Sequence, residues 1–320
     1  MIIFKPLGVM QNGHLQTILP TILPFNNSLK TTEEIIQIPM SNGDIIQTKV
    51  NFCSQGKKAA FLVHGLEGSS EARYMVQAAS KLNQEGYTVV RINLRNCGGT
   101  EKLSESLYNA GMSDDLDAII KYYQKYEWEE FFLIGFSLGA NLVGKYTGEK
   151  GNAIDGKIKK VILISPPLDL GKTLVKMSRG FSQVYNSHFT KLLKDKYNRK
   201  CAYHPHVFDK KILNRIKNLL DFDNLITGPY FGFKNAQEYY DWGSSIKYIH
   251  NSQVPVYILQ AMDDPIVDAS DHQELLKKDN KNLRIILTEK GGHVGFWGYG
   301  NGNQKANSWL SQTILQLILE

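Results

Sequence analysis

Gly135-Phe136-Ser137-Leu138-Gly139 sets a serine between two glycines, after the apolar run Phe131-Phe132-Leu133-Ile134 and before a helix-forming stretch. A strand–turn–helix of this kind strains the serine backbone and lifts its hydroxyl above the sheet. The hydroxyl becomes a nucleophile once a base takes its proton, and the following helix N-terminus favours negative charge developing beside it. The chemistry that results is attack on an acyl carbonyl. Among eight histidines, His293 in EKGGHVGFWG suits the base, because Gly291 and Gly292 let a loop swing over the sheet end after the last apolar run. His64 also ends an apolar run, but it opens HGLEG. There the backbone N–H of Leu66 can pair with that of Leu138 to hold a tetrahedral oxyanion. The acid that orients His293 is sought in MDDPIVD (262–268), which closes the apolar run before the last and gives the order Ser, Asp, His. Asp263 and Asp264 point to opposite sides in extended chain, so only one of them faces an imidazole.

The remaining histidines carry less. His188, His204, His206, His250 and His272 fall in helical or surface stretches and read as ordinary polar residues. Cys201, His204 and His206 put three potential ligands within six residues but lack a fourth, so no metal site is expected. His14, in QNGHLQTILP, reads as a hydrogen-bonded structural histidine.

These groups need a frame. Apolar, β-rich runs recur at 59–65, 87–94, 131–137, 161–167, 254–261 and 283–289, most of them apolar on both faces, as parallel strands buried between helices are. Helical stripes lie between and after them: Ala72, Met75, Ala79 and Leu82; Leu116, Ile119, Ile120 and Tyr123, with Ser113 as the expected N-cap; and Trp309, Leu310, Ile314 and Leu317. Residues 33–52 predict an antiparallel hairpin turning at Asn42-Gly43. The alternation predicts an α/β fold with a mostly parallel central sheet flanked by helices. Residues 170–250 break the rhythm and predict a helical cap inserted before the penultimate strand, within a single domain spanning 1–320, over the strand ends where ligands bind.

Bulk composition narrows the classes. The 320 residues are 42% hydrophobic and 21% charged, as expected of a chain with a large core. Three scattered cysteines do not make a disulfide framework, and the N-terminus lacks a secretory pattern, so a cytoplasmic protein is expected. The formal charge is +6. Lys172 to Lys217 holds twelve Lys or Arg against two acids, a local +10 that leaves −4 elsewhere. A solvated face is the plain reading, and contact of the basic cap with an anionic membrane surface is the sharper one. Nucleic-acid binding would rest on this segment alone and is not expected.

NGHLQTILP (12–20), HGLEGSS (64–70), GFSLGANL (135–142), TGPYFGF (227–233), YYDWGSS (239–245), DDPIV (263–267) and GGHVGF (291–296) run in the order of the YheT-like branch of the α/β-hydrolases, which this chain resembles over almost its full length. That branch is related to the eukaryotic abhydrolase-domain lipid esterases. Two positions depart from its pattern: Ala140 stands where the family usually has Gly, and Arg95-Asn96 where it usually has Arg-Gly. The resemblance implies an α/β-hydrolase fold and a Ser–Asp–His serine hydrolase cleaving carboxylic esters, with no cofactor. It places the acid at the second aspartate of the pair, so the expected set is Ser137, Asp264 and His293, with Leu66 and Leu138 as oxyanion donors. Asp263 is then expected to brace the loop and Asp268 to cap a helix. A small ester or lipid-like substrate with a short-to-medium acyl chain is expected, Phe181, Val184, Tyr185, Phe231, Phe233, Tyr239 and Trp242 being candidates to shape its pocket. An acyltransferase passing the acyl group to an alcohol would use the same residues, and a non-catalytic binder would be expected to lack one of them.

Overall fold

Strands that are apolar on both faces need cover on both sides, and helices packed on either face of one sheet provide it. The structure, a computed structural model, describes residues 3–23, 29, 31–54, 56–277, 280–300 and 309–320. After a two-residue strand β1 (Lys5–Pro6), β2 (Glu33–Pro39) and β3 (Ile45–Asn51) form the expected antiparallel hairpin, and Gly43 supplies the left-handed turn at φ +86°. Then follow β4 (Lys58–Val63), β5 (Tyr87–Ile92), β6 (Glu130–Phe136), β7 (Ile158–Ile164), β8 (Val256–Ala261) and β9 (Leu283–Thr288). The eight strands β2 to β9 make one sheet in the order β2-β3-β5-β4-β6-β7-β8-β9, parallel from β5 onward. A short strand β10 (Gly298–Tyr299) pairs antiparallel with β1, a ladder that two-residue strands do not announce in sequence.

The helices are α1 (Gly13–Ile22), α2 (Arg73–Gln84), α3 (Ser113–Tyr123), α4 (Leu138–Lys150), α5 (Leu170–Met177), α6 (Gln183–Tyr203), α7 (Leu219–Phe222), α8 (Gly228–Tyr230), α9 (Ala236–Gly243), α10 (Ser270–Leu276) and α11 (Trp309–Leu319). Alternation along β4 sorts the core. Ala59, Phe61 and Val63 pack with Leu116 and Ile120 of α3 and Leu142 of α4. Ala60 and Leu62 pack on the other face with Met75, Ala79 and Leu82 of α2 and Ile314 and Leu317 of α11. Ser113 is not the N-cap of α3. Met112 holds that position, and the Ser113 hydroxyl donates to Glu149 of α4 instead (2.5 Å), because the two helices pack side by side.

Between β7 and β8 the chain makes no strand and builds the cap from α5 to α9, with a π-helical turn at Asp223–Thr227. The basic segment is not simply a solvated face. Lys172 pairs with Asp271 (2.5 Å), Lys196 with Glu67 (2.7 Å) and Arg199 with Glu101 (2.7 Å), all acids outside the segment. The uneven charge thus docks the cap on the body. No described helix is long and apolar enough to cross a membrane.

Candidate active site

The turn after β6 carries Ser137 at φ +52°, in the left-handed region that a residue with a Cβ adopts only under strain. Its two glycines have steric reasons to be there. A Cβ on Gly135 would come within 2.4 Å of the Ala140 Cα, and one on Gly139 within 2.4 Å of the carbonyl oxygens of Val63 and His64. Strand, turn and helix therefore sit closer than any side chain allows, and the serine hydroxyl projects at the N-terminus of α4.

Ser137 Oγ donates to His293 Nε2 (2.7 Å), and His293 Nδ1 donates to Asp264 Oδ2 (2.8 Å). An ionised carboxylate can only accept, so this contact fixes the proton on Nδ1 and leaves Nε2 free to receive the serine proton. The Asp264 carboxyl is fully occupied. Oδ1 accepts the N–H groups of Ile266 (2.8 Å) and Val267 (2.9 Å), and Oδ2 also accepts Gln260 Nε2 (3.1 Å). Burial pushes this carboxyl up, but His293 and the two N–H groups outweigh it and hold it below the usual carboxylate value. Asp263 differs. Its Oδ1 accepts the Gly292 N–H (3.0 Å), and burial leaves its carboxyl above the usual value despite that bond and nearby Lys290. The two neighbouring aspartates thus serve one loop, Asp264 through the imidazole and Asp263 through the backbone beside it. Asp268 accepts the Ser270 N–H (2.8 Å) one residue ahead of the formal N-cap of α10, Ala269.

The loop bearing His293 is held in an unusual shape: Gly291, Gly292, Val294 and Phe296 all have positive φ. What holds it comes from the far end of the sequence. The His293 N–H donates to Thr17 Oγ1 (2.9 Å), while Gln16 accepts the Trp297 N–H (2.7 Å) and donates to the Trp297 carbonyl (2.9 Å). Pro20 lacks the N–H that would bond the Gln16 carbonyl, and Gly295 packs against that oxygen so closely that a Cβ would lie 2.0 Å from it. Gly13 approaches the Asp263 carbonyl in the same way, at 1.9 Å for an added Cβ. Helix α1 therefore braces both loops. His14 on it bonds the Tyr185 hydroxyl (2.9 Å) and packs edge-on to Phe181, the structural role expected of it. Sequence reasoning missed Gln16 and Thr17; the only signal was the motif NGHLQTILP, whose chemistry is carried by backbone contacts.

Opposite His293, the HGLEG loop abuts the serine, since a Cβ on Gly65 would lie 2.9 Å from the Ser137 Cβ. Leu66 and Leu138 line the same cavity as Ser137, and among the described residues neither backbone N–H meets an acceptor. His64 shapes the loop from below: Nδ1 donates to the Gly65 carbonyl (2.8 Å) and Nε2 accepts the Leu94 N–H (3.1 Å). Burial drives its pKa down to about 4, so it is neutral and cannot serve Ser137. The unfolded chain takes up this proton near pH 6.5 and the folded one does not, so stability falls as pH drops from 6.5 toward 4. His64 alone is expected to cost roughly 2–3 kcal/mol by about pH 4.5, and His272, also buried and lowered to about 4, a similar share. Urea unfolding at several pH values checks this; flat stability between about pH 7 and 5 would contradict it.

Glu67, at φ +55°, ties this loop to the cap. Its Oε1 accepts the Tyr108 hydroxyl (2.7 Å) and pairs with Lys196 Nζ of α6 (2.7 Å), both charged side chains being under 10% exposed (5% and 8%). Lys196 also lies 2.9 Å from the Cys97 Sγ. Lys196→Met would strand a buried carboxylate and should destabilise the protein by about 3–5 kcal/mol in a denaturant titration. The double variant Lys196→Met/Glu67→Gln should regain most of that loss, and no recovery would mean that the pair is not what holds the loop. Asn96 sits at φ +62°, which explains how asparagine replaces the usual glycine: it is among the few residues with a Cβ that accept this region readily.

A second anchor is Asn141, one turn beyond Ser137 and fully buried. Its amide donates to the Ala110 and Gly243 carbonyls (3.0 and 2.8 Å) and accepts the Ser245 N–H (2.8 Å), and the Tyr239 hydroxyl accepts the Ala110 N–H (2.9 Å). YYDWGSS thus seats the cap on α4. The cavity over Ser137 is mainly apolar, walled by Leu170, Leu174, Met177, Phe189, Leu193 and Phe222. Of the seven cap residues expected to shape it, only Tyr239 lines it. Phe181, Val184 and Trp242 are exposed, Tyr185 packs on His14, and Phe231 and Phe233 pack within the cap. The inner face of α6 is set by Phe189, Leu193, Lys196 and Tyr197, at helical spacing, and aromatic content alone does not reveal that phase.

The alpha/beta hydrolase fold family model matches residues 61–298. YheT of Escherichia coli is 30% identical over 306 residues, covering 92% of this chain and 87% of that protein. The monoacylglycerol lipase of Saccharomyces cerevisiae is 26% identical, covering 97% of this chain and 79% of that one. Among solved structures, an esterase of Pyrococcus furiosus superposes with a TM-score of 0.60 at 17% identity, covering 93% of this chain and 94% of its own.

Proposed function

The chain belongs to the α/β-hydrolase fold family, and we propose that within it the protein is a serine hydrolase cleaving carboxylic esters of short-to-medium acyl chains through an acyl-enzyme. The observation that carries this is the hydrogen-bonded line Ser137–His293–Asp264 at the mouth of an apolar cavity. Ser137 Oγ attacks the acyl carbon as its proton passes to His293 Nε2. The former carbonyl oxygen becomes an oxyanion held by the Leu66 and Leu138 N–H groups, and Asp264 stays ionised beside the imidazolium. Collapse breaks the bond to the leaving oxygen, which takes the proton from Nε2 and departs as the alcohol. Water repeats the sequence on the acyl-serine, giving the acid and restoring Ser137.

The yeast relative's name supports a lipid-like ester, and the cavity wall supports an unbranched apolar chain. A fluorophosphonate probe is expected to label Ser137, and p-nitrophenyl esters to be turned over best at intermediate chain length. Neither labelling nor turnover of any ester would end this reading. With an added alcohol, the free acid is the expected main product; predominant new ester would instead make the protein an acyltransferase.

A further inference from the structure

One carboxylate in the cavity has no part in this chemistry. Asp223 lies on the π-helical turn of the cap and lines the same cavity as Ser137, beside Phe222 and Leu219. Its Oδ2 accepts the Tyr240 hydroxyl (2.6 Å), and the Thr227 hydroxyl stands near enough to lower its pKa. Tyr240 and Thr227 line the cavity too. Among the described residues no cation pairs with Asp223, unlike Glu67, Asp115, Asp271 and Glu101, each of which has a Lys or Arg. The contrast with Asp264 is sharper. That carboxyl has four hydrogen-bond donors, whereas Asp223 has one, Tyr240, and a carboxylate has about four acceptor positions.

A half-buried carboxylate with acceptor positions to spare faces an otherwise mainly apolar cavity, and bracing a tyrosine does not require one: a carbonyl would do. Burial lifts its pKa to about 6 against the lowering by Tyr240 and Thr227, so it is largely ionised at neutral pH and can only accept. Beside it stand two hydroxyls that can turn to donate or accept. We propose that Asp223, Thr227 and Tyr240 form a polar subsite that binds a hydroxyl group carried by the ester substrate away from its reacting carbonyl. A hydroxyl fits better than an ammonium. It can donate to the carboxylate and accept from a neighbouring hydroxyl, whereas an ammonium can only donate.

The proposal rests on the ester-hydrolase reading, and two measurements keep their fates apart. In the first, kcat/KM is compared for p-nitrophenyl esters of a straight-chain acid, plain or with one hydroxyl at each position in turn, and for glyceryl against propyl esters of the same acid. The two arms say whether the hydroxyl belongs to the acyl or the alcohol side. Wild type is expected to favour at least one hydroxylated ester by about tenfold or more, since a site built for a hydroxyl discriminates against its absence. Asp223→Leu should invert that preference, and Asp223→Asn, which keeps the shape and one acceptor, should fall between. The second measurement is calorimetric binding of the matching plain and hydroxylated alkyl ketones to Ser137→Ala protein, which needs no turnover; tighter binding of a hydroxylated ketone is expected. Loss of hydrolysis would therefore sink the hydrolase reading while the subsite is still decided by binding. The subsite is overturned if plain ligands win at every position in both arms, if Asp223→Leu lowers both classes equally, or if an amino-substituted chain outcompetes the hydroxylated one.

Discussion

Asp264→Asn is expected to lower kcat about ten-thousandfold, while Asp263→Asn leaves it within about tenfold of wild type. The asymmetry follows from what each side chain must accept. In Asp264→Asn the new amide would present a donor or a weaker acceptor to His293 Nδ1, disturbing the tautomer that keeps Nε2 open to Ser137. It would also remove the negative charge that stabilises the imidazolium. Asp263→Asn keeps a carbonyl oxygen for the Gly292 N–H, the bond that Asp263 makes here, and burial at this position already disfavours the charged form. Steady-state rates on one p-nitrophenyl ester decide the matter, with thermal unfolding of both variants to show that they fold. A far larger loss for Asp263→Asn would reassign the orienting acid.

Ser137→Ala is expected to reduce kcat by about a millionfold, the larger effect, yet not to the uncatalysed rate. The alanine removes the hydroxyl proposed to form the acyl-enzyme. It leaves the cavity and the Leu66 and Leu138 N–H groups, so a residual acceleration of roughly a thousandfold over water should survive. Alanine at φ +52° keeps the same backbone strain, so stability should change little. Measured turnover must therefore be set against a mock-purified control, and loss of fluorophosphonate labelling provides the independent readout. Retention of more than about a hundredth of wild-type activity would mean that another residue is the nucleophile.

The frame was legible because its signals are local. Six apolar runs, most of them apolar on both faces, became the parallel strands, and Gly-x-Ser-x-Gly between strand and helix gave the elbow, since both properties depend on residues adjacent in sequence. Asp264 could be favoured over Asp263 once chain order and the family pattern were combined. The pocket wall could not be read in advance. Trp242 is as aromatic as Tyr239 on the same helix but turns away from the cavity onto Phe233, because the rotational phase of a cap helix is set by its docking partners. The basic segment misled for a similar reason: Lys196 and Arg199 look solvated until Glu67 and Glu101 arrive from other parts of the chain. Asn141, Gln16 and Thr17 act on the site through backbone groups, which have no composition to read.

The brace between helix α1 and the histidine loop joins residues 276 positions apart, and β1 pairs with β10 across a similar span. On a ribosome Thr17 emerges long before His293 and must wait 276 positions for this partner. The turn bearing Ser137 and strands β4 to β7 precede His293 in the chain, so Ser137 is expected to be in place before the imidazole that it bonds. Closing such a distant contact is slow. Reactivity is therefore expected to appear late in folding, after β4 to β7 have assembled.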